Sequence, residues 1–164
     1  MCNPMRLGIA IVLACVAATL AHAQIDTAPP QLMGQPSLHL YSVPSVQAIG
    51  GLATFFGCTN TTSAPIRVGV EVFGSPGGPA FNDASATSLE INPGGTVMFG
   101  TSFAVGIPVT SSLGAGGIDN ASARILATAK KGIICTAFVA DNGNAPPITS
   151  WQLTIVAKTK QRGD

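Results

Sequence analysis

The chain has 164 residues and a formal net charge of +1, and only 9% of its residues are charged. So even a balance leaves no electrostatic footprint for nucleic acid or for an acidic lipid surface, and neither is expected as a partner. Nineteen glycines and twelve prolines argue against long helices.

At the N-terminus, Arg6 precedes an apolar run from Leu7 to Leu20 that closes in Ala21-His22-Ala23, small residues at the two positions a signal peptidase reads. Residues 1–23 are therefore expected to be a signal peptide, with the mature chain starting at Gln24 and exported to the periplasm or the extracellular space. A second reading uses Val12-Leu13-Ala14-Cys15, which resembles a lipobox; lipid attached at Cys15 would make the chain a membrane-anchored lipoprotein. The apolar run is shorter than the roughly 20 residues of a membrane span, and no later segment reaches that length. Loss of the presequence removes Arg6 and leaves seven basic against seven acidic residues. The remainder is enough chain for one domain with its own core. Cys58 and Cys135 are then the remaining cysteines, and one pair in an exported chain reads as one disulfide, against the alternative of two buried thiols.

Residues 24–36, QIDTAPPQLMGQP, carry three prolines and little apolar periodicity, which predicts an extended tether outside the core. A β domain is expected over 37–160, and 161–164 form a C-terminal tail. Within the domain the clearest strand is 66–73, where Ile66, Val68, Val70 and Val72 alternate with Arg67, Gly69, Glu71 and Phe73. Its partner is expected at 52–59, with further strands at 38–43, 88–91, 96–101, 124–129, 133–140 and 151–158. AKKGI reads as a hairpin with Gly132 in the left-handed region, and INPGGT as a tight turn. No helix is expected beyond the presequence. Residues 102–122 form the longest stretch without strand character, and loops of that length are either functional or mobile.

Seven or eight such strands predict an all-β fold of two packed antiparallel sheets. The segments CTNTTSAPIRVGVEVF and LEINPGGTVMFGT resemble the strand, turn, strand and Pro-Gly-Thr pattern of small exported bacterial immunoglobulin-like sandwich domains, a resemblance spanning roughly residues 50–158. It implies an immunoglobulin-like antiparallel β-sandwich in which a Cys58–Cys135 bond pins one sheet to the other. Trp151 departs from that pattern by following the second cysteine.

Chemistry is sparse. His39 is the one histidine after the presequence and reads as a half-exposed strand residue; no Gly-x-Ser-x-Gly elbow accompanies it. The carboxylates are scattered. Asp141-Asn142-Gly143-Asn144 groups oxygen ligands without the spacing or closing Glu of a calcium loop, and reads as a turn. The glycine-rich GSPGGP and GAGG lack the Lys-Ser or Lys-Thr of a phosphate cradle. No catalytic residue, metal or cofactor is expected. The sequons at Asn60 and Asn120 matter only in a host that glycosylates its exports. The terminal Arg162-Gly163-Asp164 reads as a solvated tail rather than an adhesion motif.

If Cys58 and Cys135 point inward, a period of two sends Leu52, Phe56, Ile133, Ala137 and Val139 inward as well, and puts Phe55, Ile134 and Phe138 on the outer face. Those three either form a contact surface or lie under the tether or a long loop. The expected function is a non-enzymatic structural or interaction module of the cell envelope or extracellular space, with an unidentified protein partner or self-association. The rivals are a carbohydrate or small-ligand module using Trp151 and Tyr41 as stacking platforms, and a fibre or surface-assembly subunit that accepts a strand at a sheet edge.

Overall fold

The structure is a computed structural model and describes residues 27–75 and 77–158. The expected signal peptide, the Cys15 lipobox and the tail with Arg162-Gly163-Asp164 lie outside the described residues.

The fold is all-β. Its strands are β1 (Leu38–Ala48), β2 (Leu52–Asn60), β3 (Ile66–Phe73), β4 (Leu89–Ile91), β5 (Thr96–Gly100), β6 (Ser111–Ser112), β7 (Ile118–Ala127), β8 (Ile133–Asp141), β9 (Ser150–Gln152) and β10 (Val156–Ala157). They form two five-stranded sheets, in the orders β10-β1-β7-β3-β4 and β6-β5-β2-β8-β9. Every pairing is antiparallel except β5 with β6. The arrangement is that of a β-sandwich. The alternation expected in β3 is present, since Ile66, Val68, Val70 and Val72 enter the main core with Val43 and Ile125 of the first sheet and Phe56, Phe99, Ala137 and Val139 of the second. Gly132 and Gly94 take positive φ in their turns as expected, at 85° and 74°.

Several boundaries differ from the sequence reading. β1 runs on past Val43, because Ser45 takes φ 64° and forms a bulge between the pairs Pro44–Ser122 and Val46–Ala121, absorbing the proline. The expected strand at 151–158 splits into β9 and β10, which join different sheets. Two short elements were not expected: β6, and a helix α1 (Ala84–Thr87) whose N-cap Asp83 accepts hydrogen bonds from the backbone of Ser85 and Ala86.

Residues 27–36 are also not a free tether. Leu32 is fully buried with Ala84 and Leu126 on the outer face of the first sheet. Burying one leucine stabilises by about 1.5–3 kcal/mol, which holds the segment down without any periodic pattern. Gly69 makes room for it: a Cβ there would stand 2.9 Å from Leu32 Cδ2 and 3.2 Å from the Ala84 carbonyl oxygen. Arg124 clamps the start of the segment, donating to the Thr27 carbonyl at 2.6 Å.

Candidate functional site

The cysteines come together, but not across the sandwich. β2 and β8 are neighbours in the second sheet, and Cys58 lies directly opposite Cys135, with Sγ atoms at disulfide distance, 2.12 Å. The bridge thus ties two strands of one sheet rather than pinning the sheets together. The reason is topological: β1 and β3, which flank β2 in sequence, both belong to the other sheet. The Cα–Cα distance of 4.2 Å is that of a closely spaced, non-hydrogen-bonded antiparallel pair. The backbone N–H and C=O of Cys135 therefore point away from β2, toward the side of β9. β9 accompanies β8 only from Ala140 to Phe138, and its last bond is from Leu153 N–H to the Ala137 carbonyl. Beyond it the chain crosses to the first sheet, where Val156 and Ala157 pair with Ser42 and Tyr41. The edge of β8 thus opens on a cleft of about 460 Å³ bordered by Cys135, Thr136 and residues 152–155.

The outer face of the same sheet carries Phe55, Phe138 and Ile134, as period two requires, yet they do not form one exposed surface. Phe55 is fully buried and stacks on Phe138 with ring centroids 5.3 Å apart. The loop after β5 lays Ala104, Ile107 and Val109 over the pair. Ile134 stands farther along β8, opposite Thr59, and is 64% exposed. Of the expected contact residues, Ile134 is exposed, Phe138 half-buried and Phe55 withdrawn.

Where the loop cover ends, a second groove of about 470 Å³ opens. It is lined by Thr136, Phe138 and Ala140 of β8, by Ile107 and Pro147 of the two loops beside it, and by residues 150–152 of β9. The two walling loops are locked together. Val105 N–H donates to the Asn142 carbonyl and Asn142 Nδ2 to Ser102 Oγ. Only a glycine fits at 106, since a Cβ would stand 2.5 Å from the Asn144 carbonyl oxygen. Trp151 is 39% exposed, but it stands opposite Val139, so its indole lies on the core-facing side of the edge strand, away from Phe138. Tyr41 does not join it: it lies in the first sheet, half-buried, with its hydroxyl donating to the Ile133 carbonyl at 2.7 Å. Thr136 and Gln152 were not singled out from sequence. The available signal was that Thr136 lies two residues from Phe138 on one strand face; Ile107 and Pro147 come from loop packing, which has no local signature.

Asp141 organises the loop beside the groove. One carboxylate oxygen accepts from the backbone and side-chain amides of Asn144, the other from the backbone N–H groups of Ile148 and Thr149. These bonds, foremost that of Thr149 and then the Asn144 side chain, hold its pKa below the ordinary carboxylate value. The segment is the expected turn. A depressed folded-state pKa contributes stability that is fully present above the unfolded value and lost as pH falls through the folded one. Asp141→Asn is thus expected to unfold at a lower temperature than wild type near neutral pH, with the gap closing as acid protonates Asp141. A gap that stays constant into strong acid in paired thermal melts would contradict this account.

Other expected residues are structural. His39 is half-buried, with Nε2 3.0 Å from Ser42 Oγ. Asn60 is buried and its Nδ2 donates to the Ala64 and Ile91 carbonyls, so the folded domain does not offer it as a glycan acceptor; Asn120 is exposed. Among the described residues no group of three or more His, Cys, Asp or Glu is placed to share a metal ion, and no helix is long and apolar enough to cross a membrane. Comparison with protein-family models, with curated proteins and with solved structures returns no match to this chain.

Proposed function

We propose that the chain is a non-enzymatic, exported interaction module that presents the loop-covered side of its second sheet to a partner in the cell envelope or outside the cell. The observation that carries this reading is a set of exposed apolar side chains on the two loops beside the groove. Phe103 and Val105 on one loop and Ile148 on the other are 68%, 73% and 80% exposed, and the two loops are hydrogen-bonded to each other through Val105 and Asn142. Isolated apolar residues on a surface need no explanation, whereas several on two joined loops suit a contact site. The disulfide supports an oxidising compartment. An immunoglobulin-like relationship would place the cysteines in opposite sheets, so this reading draws on the sandwich architecture alone.

The test pairs wild type with Val105→Ser/Ile148→Ser, a surface change that leaves the core intact. Wild type is expected to co-sediment with envelope fractions of the producing cell, or to self-associate with rising concentration in analytical ultracentrifugation. The variant is expected to be weakened at least about tenfold, the effect of losing even part of the burial of two aliphatic side chains. Identical behaviour of the two proteins in both assays would sink the proposal.

A further inference from the structure

We infer that residues 153–158 are a strand with two seats: the edge of β1, where their last part lies in this structure as β10, and the edge of β8 just beyond β9. The basis is a register that continues where the pairing stops. β9 runs antiparallel to β8 with Trp151 opposite Val139 and Gln152 opposite Phe138, and the Leu153 N–H still donates to the Ala137 carbonyl. Carried on in the same register, Ile155 falls opposite Cys135 and Ala157 opposite Ile133. Ile133, Cys135, Ala137 and Val139 are the core-facing residues of β8, so Trp151, Leu153, Ile155 and Ala157 would all turn inward. Gln152, Thr154 and Val156 would face outward beside Phe138, Thr136 and Ile134. The segment thus carries an alternation fitted to β8 along its whole length, although only its first part is paired there.

That second seat is open. Residues 135 and 137 direct their backbone groups away from β2, as the close Cys58–Cys135 spacing and the bond from Leu153 both require. Past the Ala137 carbonyl no strand lies beside this edge among the described residues, and it borders the cleft of about 460 Å³. Such an edge is a template for a strand. Exposed apolar side chains point to the same seat. Ile134 is 64% exposed on one sheet and Val156 50% on the other. In the continued register they become direct cross-strand neighbours, which withdraws apolar surface of both from water.

The hold on the observed seat is slight. β10 pairs with β1 at Val156 and Ala157 alone, extended by the bond from the Lys158 N–H to the Leu40 carbonyl. Tyr41 guards the other seat: its hydroxyl donates to the Ile133 carbonyl, the acceptor that the Ala157 N–H would use on β8. Exchange therefore trades one short ladder for another and needs Tyr41 to let go. It also bares the edge of β1 at residues 40–42, so the position of this strand sets whether β1 can accept another.

Cysteine trapping tells the seats apart. A disulfide needs Cα atoms within about 7 Å, so Ser42→Cys/Val156→Cys closes in the observed pairing and Ile134→Cys/Val156→Cys only with the strand on β8. Thr59→Cys/Val156→Cys is the control. Thr59 lies on β2, opposite Ile134, so a strand seated on β8 stays about 10 Å from it and this pair closes only through unfolding. The full chain carrying each pair is held in a glutathione redox buffer, and bridges are located by mass spectrometry of unreduced peptides. The pair at 42 and 156 is expected to close fastest. The pair at 134 and 156 is expected to close at least about tenfold faster than the control, because a minor conformer is far more populated than the unfolded chain. The Cys58–Cys135 bridge should be retained throughout. Adding Tyr41→Phe to the pair at 134 and 156 is expected to speed its closure about threefold, the effect of one lost hydrogen bond. The inference is overturned if that pair closes no faster than the control, or if Tyr41→Phe leaves its rate unchanged.

Discussion

Arg124→Met is expected to destabilise the domain by about 3–5 kcal/mol, because it leaves a carboxylate buried without its cation. Arg124 and Glu71 face each other across β7 and β3, both are buried, and Arg124 Nε donates to Glu71 Oε2 at 2.5 Å. The guanidinium also lies 5.2 Å over the Phe73 ring and donates to the Thr27 carbonyl, so one side chain joins two strands to the N-terminal segment. The control is Arg124→Met/Glu71→Met, which removes both charges and keeps side-chain volume. Replacing a buried ion pair by apolar residues is often neutral or stabilising, so the double variant is expected to recover most of the loss. Urea unfolding of the three proteins checks this, with hydrogen exchange at Leu32 as a second readout. Exchange there should rise in the single variant if Arg124 holds residues 27–36 against the sheet. Equal losses in the single and double variants would show that packing, not an orphaned charge, sets the cost.

How much of this was legible in the sequence depends on whether the governing force has a period. The alternation of Ile66, Val68, Val70 and Val72 located β3 at its observed bounds, because a strand buried on one face must repeat every two residues. The same rule placed Phe55 and Phe138 on the face opposite Phe56 and Val139, as found. Residues 27–36 were misread for the converse reason: an irregular segment held by one buried leucine, with Arg124 clamping its start, has no period to detect. Gly69, a glycine inside a valine alternation, was the one trace left by the chain that crosses it.

Sheet membership is a second kind of information that local pattern does not carry. Period two can say that Cys58 faces inward but not which sheet its strand enters. The strands adjacent to β2 in sequence go to the opposite sheet, and β9 and β10 divide one apolar run between the two. The edge strand inherits that ambiguity. Trp151 was equally readable as core or as platform; opposite Val139 it lies on the core-facing side of β9, yet at the edge of the sheet it stays 39% exposed. Loop cover over Phe55 likewise depends on two loops meeting at Gly106, a tertiary fact.

Removing the disulfide, by Cys58→Ala/Cys135→Ala or by reduction of wild type, is expected to lower the unfolding free energy by about 4.5 kcal/mol. The cysteines are 77 residues apart, and the loop-entropy relation assigns that value to a cross-link of this span. For a domain of this size the loss corresponds to a fall in Tm of roughly 10–20 °C. Because the bridge links two strands already paired in the centre of one sheet, its removal should leave the hydrogen-bonded ladder of β2 and β8 in place and act chiefly through the unfolded chain. The folded variant is then expected to keep the emission of Trp151 and the groove, while its denaturation midpoint drops. A total stability of about 5–15 kcal/mol is usual for a single domain, so a loss of this size would leave the reduced chain marginal. Folding would then be completed where the thiols can oxidise, in keeping with the proposed export. Chemical denaturation of oxidised, reduced and double-variant protein separates the effects: a cavity left by Cys58→Ala would lower the variant below reduced wild type, whereas the loop effect lowers both alike. A reduced protein within about 1 kcal/mol of the oxidised one would remove the bridge as a determinant of where the domain can fold.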